Sequence, residues 1–222
     1  MTNNEIWEKF ELALKNFAPN DLNHFSAPAS EKRIQAAENT LGLRIPEELR
    51  IAFLRHDGLT PTVYNNNHSL FVGHGLWCPL ELTISLWQTM NKYAKAYDED
   101  DLEYLSQIPE EINKKQHIKL QTFNRNWIPV GIEGWTSGSR SVLYCDLDPA
   151  AAGKSGQIIR KDLDQFEPFL IAPSFNDHLR FITTQLETGG FKVDRATGKW
   201  HDERGVRLQG PPSFSCYQTP IY

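Results

Sequence analysis

Gly153-Lys154-Ser155 comes nearest to a chemical motif in this chain, because a glycine, an ammonium group and a hydroxyl in succession could bind phosphate. A phosphate-binding loop needs G-x-x-x-x-G-K-[ST], so that backbone N–H groups wrap the anion while lysine and hydroxyl reach oxygen and metal. The first glycine of that pattern would fall at position 148, which is Asp148, and a carboxylate there repels phosphate at short range. Downstream, Gly156-Gln157-Ile158-Ile159-Arg160 is short and β-branched, unlike the helix whose N-terminus should hold the anion. The nucleotide-binding reading is therefore set aside.

Other candidates are thinner. Asp146 and Asp148 share a strand face, a spacing that suits a cation, but two carboxylates fall short of the six or more oxygens calcium takes. Asp148 before Pro149 is better read as stabilising a turn. Seven histidines (24, 56, 68, 74, 117, 178 and 201) include no H-x-x-x-H pair, and His74 with Cys78 has no second ligand pair to match it. Packing or solvent-facing roles are expected for all seven. Ser137, Ser139 and Ser141 occupy a glycine-containing turn without G-x-S-x-G, and Cys145 alternates into an apolar strand face where a thiol is inert. Glu47-Glu48 reads as helix-dipole and solubility residues. No catalytic set, cofactor or metal is expected. Trp135, between Gly134 and Thr136 in the turn from Glu133 to Arg140, is different: an aromatic on a turn makes a good interface anchor. With Glu133 and Arg140 on either side it forms the candidate partner-binding set, the alternative being an aromatic tucked under its own loop.

Hydrophobic periodicity supplies the scaffold for these residues. A first helix spans Asn3 to Phe17, its stripe being Ile6, Trp7, Phe10, Leu14 and Phe17. Pro19 to Pro28 reads as a loop. Ser30 caps a second helix carrying Ile34, Ala37 and Leu41 and stopped by Gly42. Pro46 opens a third at its first position, with Leu49, Ala52 and Phe53 inward and Gly58 at its end. Leu70-Phe71-Val72 suggests a strand and residues 80–97 a helix. The acidic run 98–101 reads as a solvated face or helix start. Trp127 to Asp162 is rich in strands, with Val142, Tyr144 and Asp146 on one side and Leu143, Cys145 and Leu147 on the other. Gly156 supplies a special backbone conformation before a strand over 157–162. A strand at Phe169–Ala172 precedes a helix capped by Ser174, with Phe175, Leu179, Ile182 and Leu186 buried and Gly189-Gly190 at its end. Residues 191–222 read as a C-terminal extension containing a hairpin that turns at Thr197-Gly198. Helices, then strands, then a helix indicate an α+β fold.

Composition sets the outer limits. With 222 residues, 40% hydrophobic and 23% charged, the chain suits one globular domain. The net charge of −5, from 23 basic and 28 acidic residues with no basic tract, argues against direct nucleic-acid binding and fits a basic partner better. No apolar run approaches the ~20 residues of a membrane span. Met1 to Phe17 has acidic residues and no apolar centre, unlike a secretion signal. The three scattered cysteines suggest neither a disulfide framework nor zinc, and a cytoplasmic location is expected.

Three ordered blocks carry a family resemblance. The first is Ile34, Glu38, Leu41-Gly42, Ile45-Pro46 and Leu49, followed by His56-Asp57-Gly58. The second runs from Trp127-Ile128-Pro129-Val130-Gly131 to Asp146-Leu147-Asp148-Pro149, Gly153 and Gly156-Gln157-Ile158-Ile159. The third is Ser174-Phe175 with Leu179 and Leu186-Glu187. In these the chain resembles the SUKH superfamily, in its Smi/Knr (cell-wall-assembly regulator) branch, best over residues 30–190. Asp57 departs from the Asn usual in that family. The resemblance implies one domain over 1–190 with a central, mostly antiparallel sheet flanked by helices, and no enzyme activity. It further implies a bacterial immunity protein that binds and neutralises a cognate toxin of a polymorphic or contact-dependent system, such as a nuclease or other effector domain. A regulatory scaffold in cell-wall assembly or signalling is the alternative. The family brings no catalytic residues to carry over.

Overall fold

In the computed structural model of the chain, residues 1–60, 76–94, 117–119, 121, 123–133, 141–162, 168–194 and 199–205 are described. Helix α1 (Asn3–Phe17) starts at a reciprocal cap in which Thr2 Oγ1 accepts the Glu5 N–H and Glu5 accepts the Thr2 N–H. Its buried stripe is Ile6, Trp7, Phe10, Ala13 and Leu14. Phe17, expected in that stripe, is instead 40% exposed, because the last turn runs past the edge of the core. The stretch expected as a loop after it contains a 3₁₀ helix, Pro19–His24, begun by a proline whose missing N–H costs nothing at a helix start.

Helix α2 (Glu31–Leu41) has Ser30 as N-cap and Gly42 in the left-handed conformation after it, as the sequence predicts. Helix α3 (Glu47–Arg55) has Pro46 as its flanking residue rather than its first helical one. It ends at Arg55, with His56 already extended, three residues before the Gly58 that the sequence offers as its stop. Gly58 has a different task. At φ +69° it lies so close to the Cys78–Pro79 backbone that a Cβ would sit 2.7 Å from the Cys78 carbonyl carbon and nearer still to the proline nitrogen. Asp57 beside it accepts the Leu80 N–H at 2.8 Å and pairs with Arg33 at 2.6 Å. Asp57 thereby caps helix α4 (Leu80–Ala94), and the ion pair gives a physical use for Asp over the amide usual in the family.

The central sheet has five strands in sequential antiparallel order: β1 (Leu76–Trp77), β2 (Trp127–Glu133), β3 (Ser141–Asp146), β4 (Gln157–Asp162) and β5 (Phe169–Ala172). Both its faces are covered. Ile128, Val130, Leu143, Cys145, Ile158 and Ile171 join the main core with α1, α2, α3 and helix α5 (Phe175–Thr188). On the other face Trp127, Ile132, Val142, Tyr144 and Ile159 pack with Cys78, Leu86 and Ile118. An irregularity between Pro129 and Gly131 moves Ile132 to the face opposite Val130. A proline inside a paired strand, lacking its N–H, is tolerated at such a bulge.

Trp77 lies at the centre of the main core, with ring centroids 5.7 Å from Trp7, 5.8 Å from Phe53 and 5.9 Å from Phe175. A second sheet pairs β6 (Phe191–Val193) with β7 (Trp200–Asp202), the predicted C-terminal hairpin, whose turn at Thr197-Gly198 lies outside the described residues. Phe191 and Trp200 are buried in the main core, and Trp200 Nε1 donates to Asp21 Oδ2 at 2.9 Å. The expected strand at Leu70–Val72 and the acidic run 98–101 also fall outside the described residues.

Candidate functional site

Of the expected interface set, Glu133 is the residue whose backbone is described, and it lies at one end of the sheet. Glu133 closes β2 opposite Ser141, and Ser141 faces Asp162 at the end of β4. Arg160 pairs across to Phe169, which opens β5 and is 43% exposed. Leu76, which opens β1, pairs with Ile132 beside Glu133, so all five strands begin or finish at this end. Ser141 Oγ donates to Asp162 Oδ1, while Arg160 donates to that same carboxylate oxygen at 2.8 Å and to Ser141 Oγ at 2.9 Å. Trp135 and Arg140 lie outside the described residues, as does the side chain of Glu133.

At the opposite end, the turn joining β3 to β4 holds the residues that resemble a phosphate loop. Asp146 is wholly buried and accepts from Trp127 Nε1 at 3.0 Å, Gln157 Nε2 at 2.9 Å and the Asp148 N–H at 2.9 Å. Burial pushes its carboxyl up, and those three donors partly offset the rise. The turn-stabilising role that the sequence assigns to Asp148 thus belongs to Asp146. Asp148 instead reaches outward to Lys119 and Asn124, which hold its carboxyl below the ordinary range. Gly153 packs against the His117 carbonyl, where a Cβ would collide. The Lys154 N–H donates to Gln157 Oε1 at 3.2 Å, and the chain passes through Gly156 at φ +92° directly into β4. A strand follows where a phosphate loop needs a helix, and a side chain occupies a backbone donor that would face the anion.

Both described cysteines are buried free thiols, and burial pushes each well above the ordinary thiol range, the environment of an inert cysteine. Among the described residues no group of three His, Cys, Asp or Glu side chains could hold a metal ion. His74 of the possible His74–Cys78 pair lies outside them.

Pieces of all three sequence blocks meet in space. Pro46 and Leu49 from the first, Gly156 from the second, and Ser174 and Phe175 from the third line one cavity of about 160 Å³. Contacts internal to the fold bind these blocks together. Glu38, 5% exposed, accepts the Ile45 N–H at 3.0 Å and fixes the turn between α2 and α3. The Asn176 N–H at the start of α5 donates to Glu48 Oε2 at 3.1 Å. Ser174 Oγ caps the same helix through the Asp177 N–H at 3.2 Å.

A feature with no clear signal in sequence lies between α1 and the 3₁₀ helix. Glu8, Glu11, Leu12, Lys15, Leu22, Phe25 and His56 line an open groove of about 460 Å³. His56 stacks on Phe25 with centroids 4.4 Å apart and meets Glu11 Oε1 at 2.8 Å. Arg55 donates to both Glu11 oxygens, at 2.6 and 2.7 Å. Burial works against the Glu11 charge, yet the hydrogen bonds and charges of Arg55 and His56 prevail and bring its carboxyl down to about 2. Leu12, left out of the predicted stripe, is 57% exposed on the same helix as the 40% exposed Phe17.

No helix among the described residues is long and apolar enough to cross a membrane. The model of the SMI1 / KNR4 family (SUKH-1) matches residues 28–180. No curated protein matches the chain.

Proposed function

The chain belongs to the SMI1/KNR4 family (SUKH-1), and from that premise we propose that it is a non-catalytic protein-binding module of the bacterial immunity type, which binds and neutralises a cognate toxin. One observation supports this reading most. Four polar residues of the family blocks are engaged inside the fold: Glu38 on Ile45, Asp57 on Leu80 and Arg33, Asp146 on Trp127 and Gln157, Ser174 on Asp177. Groups committed to holding turns and helix ends are not poised for substrate, and function then falls to the exposed surface. An acidic chain of net charge −5 is suited to a basic partner surface, where complementary charge speeds encounter and rejects wrong partners. Neutralisation would follow from occlusion of the toxin's active site or substrate groove, in the cytoplasm where such an effector acts.

Co-expression tests this directly. Cells producing a toxin domain encoded beside this chain should survive when the chain is produced with it and die when it is not. Death in both cases, together with pull-downs that return cell-wall or signalling proteins, would overturn the immunity reading in favour of a regulatory scaffold.

A further inference from the structure

We propose that the C-terminal hairpin of β6 and β7 is a pH-sensitive strap, closed on the 3₁₀ helix through Trp200 and Asp21 and able to lift while the central sheet stays folded. The proposal is independent of the toxin reading. A two-stranded hairpin is marginal by itself in water, so the order of this one depends on what anchors it to the rest of the fold. Its apolar anchors are Phe191 and Trp200, edge-to-face with ring centroids 6.0 Å apart, and Phe181 of α5 stands 5.9 Å from Phe191. Its polar anchor is the hydrogen bond that Trp200 Nε1 donates to Asp21 Oδ2 at 2.9 Å, joining two ends of the chain.

One proton decides how well that polar anchor holds. Asp21 is 5% exposed, and an indole N–H cannot neutralise a carboxylate, so ionisation leaves a buried charge without a cation. The neighbouring elements carry titratable groups: His24 on the 3₁₀ helix, Glu11 and Lys15 on α1, Lys192 on β6, and His201 and Asp202 on β7. Among the described residues none of them pairs with Asp21. Glu11 is held by Arg55, Asp202 by Arg204, and Lys192 reaches the Glu203 carbonyl. The proton affinity of Asp21 is set by burial, which carries its carboxyl up to about 7, and by the smaller opposing pull of the indole. Lifting the hairpin returns this carboxyl to water and to its ordinary value of 3.8. The closed strap therefore keeps a proton that the open strap sheds, and opening becomes about tenfold easier per pH unit from about 4 to 7, then levels off. Local opening of such a small terminal unit relieves the buried charge without unfolding the sheet.

Amide hydrogen exchange of the full chain at pH 5 and pH 8, corrected for the intrinsic pH dependence of exchange, tests the strap. Protection at Phe191–Val193 and Trp200–Asp202 should fall on the order of 100-fold between the two pH values. At both, the amides of β3 should stay at least about tenfold better protected than the hairpin. Asp21→Asn keeps an oxygen to accept from the Trp200 indole but cannot ionise, and should hold hairpin protection within about threefold across the same range. His201 is present in both proteins, so the difference between them reports Asp21, and β3 protection shows that the variant is folded. A change below threefold in the unsubstituted chain would overturn the proposal without recourse to any variant. So would the same 100-fold fall in Asp21→Asn, or equal protection of hairpin and β3, which would mean that the whole fold opens together.

Discussion

Asp21, inside the 3₁₀ helix, and Glu11, on α1, carry opposite pH signatures. Asp21 is 5% exposed, and its single side-chain hydrogen bond comes from the neutral indole of Trp200. Burial raises its carboxyl from about 3.8 to about 7, against the smaller lowering effect of that indole. The folded chain therefore binds this proton more tightly than the unfolded one. The stability it contributes is fully present below about pH 4 and is lost as pH rises through 7, a term on the order of 4 kcal/mol. Glu11 runs the other way: its carboxyl lies near 2 when folded, so its contribution is present above about pH 4.5 and disappears as pH falls toward 2. Urea unfolding across pH should show Asp21→Asn flattening the decline between pH 4 and 7 and exceeding the original chain in stability at pH 8. Glu11→Gln should cost about 1–2 kcal/mol at pH 7 and flatten the acid limb instead. Equal slopes in all three proteins would contradict these assignments. Asp21 was not legible in the sequence, since its partner lies at position 200 and nothing local marks the pairing.

Elements with a local cause were readable, and those fixed by distant contacts were not. Ser30, Gly42, Ser174 and Gly189 mark helix ends through their own backbone and side-chain chemistry, and α1, β4 and β5 fall where periodicity puts them. Strand β1 has two residues, too few for any period, yet it places Trp77 at the centre of the core. Gly58 looked like a helix stop because glycine commonly is one, whereas its requirement comes from the backbone at 78–79. The candidate turn was legible only as a connection between strands, and the groove not at all, because it forms from α1, the 3₁₀ helix and His56 together. A comparison of glycines tests the element-scale account. Both Gly58 and Gly156 have positive φ, but a Cβ at Gly156 meets nothing within 4 Å. Gly156→Ala should cost about 1 kcal/mol from backbone strain alone, and Gly58→Ala about 3 kcal/mol or more, since it adds a backbone collision that separates α3 from α4. Chemical denaturation giving equal losses would show that Gly58 serves its own turn rather than the junction.

At the scale of the whole molecule, the family blocks contribute to a sheet covered on both faces, and Glu38, Asp57, Asp146 and Ser174 are engaged in holding the fold together. Apparent chemistry at Gly153-Lys154-Ser155 resolves into a tight turn beside a buried aspartate, so the same residues that suggested a nucleotide act as fold determinants. What the exterior offers is an acidic balance, an open groove lined by Leu12, Leu22 and Phe25, and a sheet end where five strands begin or finish. Each suits recognition of another protein. Titration of the purified chain against a candidate toxin domain, followed by calorimetry at two salt concentrations, tests that role most directly. The account predicts a one-to-one complex of nanomolar affinity that weakens as salt screens the acidic surface; no heat of binding at micromolar concentrations of either protein would contradict it.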